Sequence, residues 1–138
     1  MGRLKSIHKE EFEKFGKVLE FSEGNSDTPF EIVITEEKEP WRLAVFRYRN
    51  KTVKRMECHP TSLESFEPLQ GLTVLIVAEH ERPEAYEAFI LDKPVCLYKG
   101  IWHQVLALTD EAQVKITENL EVTSEFYDFE KEIEAKVL

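Results

Sequence analysis

The strongest constraint on this chain is the way its apolar residues are parcelled. From Phe30 onward they fall into short stretches at close spacing: Phe30 to Thr35, Trp41 to Arg49, Thr52 to His59, Leu72 to Glu79, Ala85 to Leu91, Pro94 to Tyr98, Trp102 to Leu108 and Gln113 to Thr117. Stretches of this length with turn residues between them read as β-strands, and they leave no room for alternating β-α units. The expectation is an all-β sandwich or barrel. A short N-terminal helix is predicted where Ser6 would cap Ile7 to Phe15 and Gly16 would stop it. A C-terminal helix is predicted from Glu125, capped by Ser124, with Phe126, Phe129, Ile133 and Val137 on one stripe.

With 138 residues, 42% of them apolar, the chain can build one hydrophobic core without staples, so residues 1–138 are read as a single domain. A formal charge of −9 would repel a phosphate backbone, which argues against nucleic acid as a partner. The longest apolar run, Leu72 to Ala78, is far shorter than the roughly 18 residues of a spanning helix, so no membrane is expected either. The start turns acidic at Glu10 and Glu11, too soon for a signal peptide, and a cytoplasmic location is expected. Met1-Gly2-x-x-x-Ser6 satisfies the myristoylation pattern, but no basic patch stands beside it to hold a single acyl chain on a membrane. Cys58 and Cys96 form no Cys-x-x-Cys pair, so the reading is reduced thiols without a zinc knuckle or redox motif. Glu outnumbers Asp by 23 to 4 and Asn plus Gln total six, a bias that points to heat adaptation.

A tight turn at Asn50-Lys51 would set Arg42 opposite His59, Phe46 opposite Arg55 and Ala44 opposite Glu57. Arg42, Ala44, Phe46, Tyr48, Val53, Arg55, Glu57 and His59 would then share one face, a mixture of aromatics and convergent charges suited to a polar pocket inside a barrel. The run from Arg42 to Arg55 holds six bases and no acid, and Arg42 and Arg55 are its two members on this face.

Glu57-Cys58-His59-Pro60-Thr61-Ser62-Leu63-Glu64, followed by Gly71, resembles the first cupin motif, with Glu57 where a first histidine usually stands. Tyr98-Lys99-Gly100-Ile101-Trp102-His103 resembles the Gly-x-x-His part of the second. The resemblance implies a cupin double-sheet jelly-roll barrel. Glu57 and His59 are two apart on a strand and so share a face, while Glu64 could return after a bend and His103 could arrive from a facing strand. His59, His103, Glu57 and Glu64 make a ligand set for one divalent metal ion, Fe, Mn, Zn or Ni.

More of the chain is similar to one family of that superfamily. Ile7 to Glu20 resembles the Phe-x-x-Phe-Gly-x-Val segment of the ureidoglycolate lyase family; Glu57-Cys58-His59-Pro60, Ser65-Phe66-Glu67-Pro68, Val74 to Ala78 and Tyr98 to His103 resemble its later signatures in order. Cys58 stands where the family has a basic residue, Glu64 where it has Gln, and Gln104-Val105 where it has a second His and a Pro. The resemblance implies a homodimeric enzyme that cleaves ureidoglycolate to glyoxylate and urea. In that reading a metal, or the guanidinium groups of Arg42 and Arg55, would bind the small anionic substrate. His59 and His103 are the titratable acid-base candidates, with Glu57 and Glu64 as alternatives, because a histidine that holds a metal cannot also be a base. Two other readings stay open: a non-catalytic small-molecule-binding cupin, and another metal-dependent cupin enzyme acting on a small acid or sugar.

Overall fold

The computed structural model describes residues 3–137, so the Met1-Gly2 acylation pattern lies outside the described residues. Among the described residues, eleven strands and one short α-helix follow in the order β1 (Leu4–Ser6), α1 (Lys9–Phe12), β2 (Gly16–Val18), β3 (Trp41–Tyr48), β4 (Thr52–Cys58), β5 (Glu64–Gln70), β6 (Thr73–Ala78), β7 (Glu87–Ile90), β8 (Val95–Leu97), β9 (Trp102–Ala107), β10 (Ala112–Asn119) and β11 (Glu125–Glu134), closed by a 3-10 turn at Ala135–Val137. A six-stranded sheet runs β1-β7-β6-β9-β4-β11 and a five-stranded sheet runs β2-β8-β5-β10-β3. This is the all-β, double-sheet architecture that the sequence resemblance implies. No helix among the described residues is long and apolar enough to cross a membrane.

Period-two alternation explains how the sheets close on each other. Leu75, Val77, Phe89, Val105 and Ala107 point inward from the six-stranded sheet and meet Phe66, Val95, Leu97, Val114 and Ile116 from the other. Phe12 and Phe15 plug one end, each ring edge-on to Phe89 at 5.1 and 6.0 Å. The intervening residues Val74, Ile76, Met56, Cys58 and Leu106 form a second cluster on the outer face, where Tyr86, Tyr127 and Phe129 pack against it. Strand β6 therefore has both faces buried, which is why it reads as an unbroken apolar run.

The structure corrects four local expectations. The N-terminal helix shrinks to Lys9–Phe12; Ser6 does not cap it but ends β1, which pairs in parallel with β7. Phe30 to Thr35 forms no strand, and Phe30 and Ile32 are exposed. The C-terminal helix is a strand instead: Glu125–Glu134 adds antiparallel to β4, with a shift in register between Asp128 and Ile133, and Tyr127, Phe129 and Ile133 turn to the second cluster while Phe126 is exposed. The free edge of β4 supplies backbone partners to Glu125 through Asp128 and again to Ile133 and Glu134, and the Phe-Tyr-Asp-Phe run suits a pleated surface. Asn50-Lys51 is no hairpin turn either. Asn50 Nδ2 donates to Val105 O at 2.9 Å and Lys51 Nζ to Ala107 O at 3.0 Å, which ties the connection to the end of β9. Strand β4 consequently joins the six-stranded sheet while β3 stays with β10 in the other.

Gly71 makes the β5-β6 turn at φ +72°, and a Cβ there would lie 2.2 Å from Glu111 O and 2.5 Å from Thr109 Oγ1. Gly71→Ala is expected to cost about 1–3 kcal/mol, read as a lower urea midpoint with an unchanged slope. An unchanged midpoint would show that the turn relaxes freely.

Candidate active site

The bend after β4 decides where the polar groups go. His59 follows the last residue of β4, and the chain returns through Thr61 and Ser62 to start β5 at Glu64. Ser62 Oγ accepts from Asn119 N at 2.9 Å and Asn119 Nδ2 donates to Thr61 O at 3.0 Å, so the bend is fastened to the end of β10. On the facing side, His103 is paired in register with Glu57 across β9 and β4. Glu57, His59, Glu64 and His103 thus line one cavity of about 330 Å³, with Arg42, Ala44, Phe46, Phe66, Ile116 and Glu118 completing its walls.

The structure brings together every predicted site residue except Arg55. Because β3 and β4 lie in different sheets, Arg42 and Arg55 do not share a strand pair. Arg55 instead bonds Asp128 at 3.0 Å and lies over the Phe126 ring at 5.0 Å, at the edge of the sheet and outside the cavity lining. Arg42 reaches the cavity from the opposite sheet and donates through Nε at 3.0 Å and Nη2 at 2.6 Å to Glu118 Oε2. Glu118 was not a sequence candidate. The inward alternation of Val114 and Ile116 on β10 runs on to it, and that pattern is the signal that would have found it.

Both imidazoles are held by their Nδ1 atoms. His103 Nδ1 lies 3.0 Å from Ile101 O, and His59 Nδ1 lies 3.2 Å from both Thr123 O and Ser124 Oγ. A carbonyl partner places a proton on Nδ1, and Nε2 is left facing the cavity. The two Nε2 atoms converge on one oxygen, Glu64 Oε1, at 3.2 Å for His59 and 3.0 Å for His103. Glu118 Oε1 stands 3.9 Å from His59 Nε2. Burial works against charge on His103, but the Glu64 carboxylate outweighs it and raises the imidazole pKa to about 9. Burial would likewise raise Glu64, yet the positive charges of His103 and His59 close beside it hold it down at about 2. His59 is raised by the same carboxylate against the opposing effect of its burial.

Three atoms of this cluster, Glu64 Oε1, Glu118 Oε1 and His103 Nε2, are buried without an aligned hydrogen-bond partner. A buried polar atom left in that state is costly. The ligand atoms of Glu57, His59 and His103 lie within 4.8 Å of one another, as do those of His59, Glu64 and Glu118. Two imidazole nitrogens oriented from behind by carbonyls, with carboxylate oxygens beside them, are a donor set that fits a divalent cation.

A family model described as Ureidoglycolate lyase matches residues 37–134. No curated protein matches the chain. Among solved structures, one concerned with the Mn(II) centres of Bacillus subtilis oxalate decarboxylase superposes with a TM-score of 0.48 at 13% identity, over 70% of this chain and 24% of that one. A structure of oxalate decarboxylase concerned with its substrate binding mode superposes with a TM-score of 0.47, also at 13% identity. This chain thus spans about a quarter of the length of those proteins.

Proposed function

The chain belongs to the ureidoglycolate lyase family, and from that premise we propose that its cavity cleaves ureidoglycolate, or a closely related α-hydroxy acid, to glyoxylate and urea with the help of one divalent ion. The observation that carries this reading is the convergence of His59 Nε2, His103 Nε2 and Glu64 Oε1 in a cavity that also holds Glu57 and one guanidinium, that of Arg42. His59, His103 and Glu64 would hold the ion, with Fe, Mn, Zn and Ni as candidates. When bound, such an ion polarises the substrate hydroxyl and carboxylate and lowers the pKa of the hydroxyl.

The chain's own groups do the rest. Arg42 uses donors not committed to Glu118 to bind the substrate carboxylate, a charge-assisted contact at the cavity wall. Nitrogen lone pairs that hold a cation are not free to take a proton, so the proton transfer falls to a carboxylate. Glu57, beside His103 and less buried than Glu64, takes the hydroxyl proton. The hydroxyl carbon-oxygen bond then becomes a carbonyl, the carbon-nitrogen electrons stay with the urea nitrogen, and protonated Glu57 returns its proton to that nitrogen. Phe46, Phe66 and Ile116 supply the apolar walls that strengthen these charges.

The test is glyoxylate release from ureidoglycolate by the purified chain loaded in turn with Fe²⁺, Mn²⁺, Zn²⁺ and Ni²⁺. Release with at least one ion is expected. Gln104 favours a second reading, since its side chain is spent on Arg55 O at 3.1 Å and on its neighbour Val105 N at 3.0 Å, at the position where the family has a second histidine. Ligand-induced thermal stabilisation without glyoxylate release under any ion would establish that binding-only reading and overturn the lyase.

Arg42→Ala is expected to raise KM for the carboxylate substrate about 10- to 100-fold, the worth of a charged hydrogen bond, whereas Arg55→Ala should leave it unchanged. Equal effects of the two variants in steady-state kinetics would remove Arg42 as the anion contact.

A further inference from the structure

Cys58 points away from the cavity by strand alternation, and the structure shows what it points toward. Its thiol is fully buried on the outer face of the six-stranded sheet. The β4-β11 register sets Glu125 directly opposite Cys58, with Glu125 Oε1 3.5 Å from Cys58 Sγ. His80, from the loop after β6, places Nδ1 3.8 Å from the same sulfur and Nε2 3.8 Å from Glu125 Oε1. The partners of His80 come from two strands distant from it in sequence.

The His80 ring is fixed in place. It stacks on the Trp102 indole with an interplanar angle of 3°, and Trp102 Nε1 donates to His80 O at 2.9 Å. Gly100 O lies 3.0 Å from His80 Nδ1, so that nitrogen carries the proton and the Nε2 lone pair faces Glu125. A carbonyl behind the ring is the support that metal-bound histidines have. Outward access comes from the other two side chains, since His80 and Glu125 are about half exposed.

We propose that Cys58, His80 and Glu125 form a second metal site, on the opposite face of β4 from the cavity, that takes Zn²⁺ or a similarly thiophilic divalent ion. One sulfur, one imidazole nitrogen and one carboxylate oxygen are the mixed donor set of a tetrahedral zinc centre, with water from the exposed side as the fourth ligand. One donor atom from each of the three side chains already lies within 4.8 Å of the others. Bonds of about 2.0–2.3 Å hold tetrahedral donors roughly 3.3–3.8 Å apart, a closure within reach of the two exposed side chains. Binding converts the thiol to a metal thiolate and releases its proton to solvent. Without a metal the thiol stays protonated, because burial and then the Glu125 carboxylate push its pKa up to about 12, which sets aside a role as a free nucleophile.

Sulfur distinguishes this site from the cavity, whose donors are nitrogen and oxygen alone. The experiment is titration of the chelator-treated chain with Co²⁺, followed by the thiolate-to-cobalt charge-transfer absorption in the near ultraviolet. The band is expected in the wild type, to saturate once the cavity and this site have each taken one Co²⁺, and to be displaced by Zn²⁺. It should vanish in Cys58→Ser and persist in Cys96→Ser and His103→Gln. Glu125→Gln and His80→Gln change exposed side chains and should each weaken the band's Co²⁺ affinity at least about tenfold. No band in the wild type, survival of the band in Cys58→Ser, or unchanged affinity in both exposed-site variants would each overturn the proposal.

Discussion

Under the proposed function, replacing His103 by Gln is expected to abolish tight binding of a divalent ion in the cavity and to lower glyoxylate release from ureidoglycolate by about 10²- to 10⁴-fold, the range of an essential positioned group. Gln keeps much of the volume and can still donate toward Ile101 O, so the packing against Phe66, 5.5 Å from the imidazole, is largely preserved. It lacks the imidazole Nε2 that lies 3.0 Å from Glu64 Oε1 and that would bind the ion once its proton is displaced. The loss is therefore chemical, and two readouts separate it from unfolding: elemental analysis of tag-free protein, and a thermal transition that remains cooperative. Glu57→Gln should behave differently. It should retain most of the bound ion, held by His59, His103 and Glu64, yet lose turnover to a comparable degree because the proton carrier is gone. If His103→Gln kept both the ion and the activity, the assignment of the cavity as a metal-assisted active site would be wrong.

What was legible in the chain was local. On β4, period two put Glu57 and His59 on one face and Cys58 on the other, and the structure agrees because alternation needs no knowledge of partners. The return of Glu64 after a bend and the arrival of His103 from another strand followed from motif order. The partner of each strand was not legible. Arg42 and Arg55 were expected on one hairpin, but Asn50 and Lys51 bond to carbonyls more than fifty residues away, and those contacts send the two strands into different sheets. The segment from Glu125 shows the same limit in another form. Its apolar spacing satisfied a helix, and only the open edge of β4 and a register shift between Asp128 and Ile133 make it a strand. Strand β5 escaped notice because Pro68 and four polar residues dilute it, and its pairing with β10 does shift register beside Pro68.

Glu64→Leu is expected to reduce the stability of the metal-free protein by about 3–5 kcal/mol near pH 5.5, and by much less near pH 10. His103 has a folded pKa of about 9 against 6.5 as the ordinary value, so the stability it contributes is complete below 6.5 and lost as pH rises through 9. Glu64, at about 2 against 4.5, contributes stability that is complete above 4.5 and lost as pH falls through 2. Both contributions are therefore in full force between 4.5 and 6.5. There the leucine leaves His59 and His103 without their shared counter-charge in a buried site, and each must give up its proton or remain an unpaired cation. Above the folded pKa of His103 the wild type itself holds a buried carboxylate whose imidazole partner is neutral, so its advantage over the variant shrinks. Urea unfolding of both proteins at the two pH values, after chelator treatment, measures the difference directly. An equal cost at both would mean that Glu64 stabilises the fold through packing alone, and that its position between two imidazoles is not what keeps the cluster together.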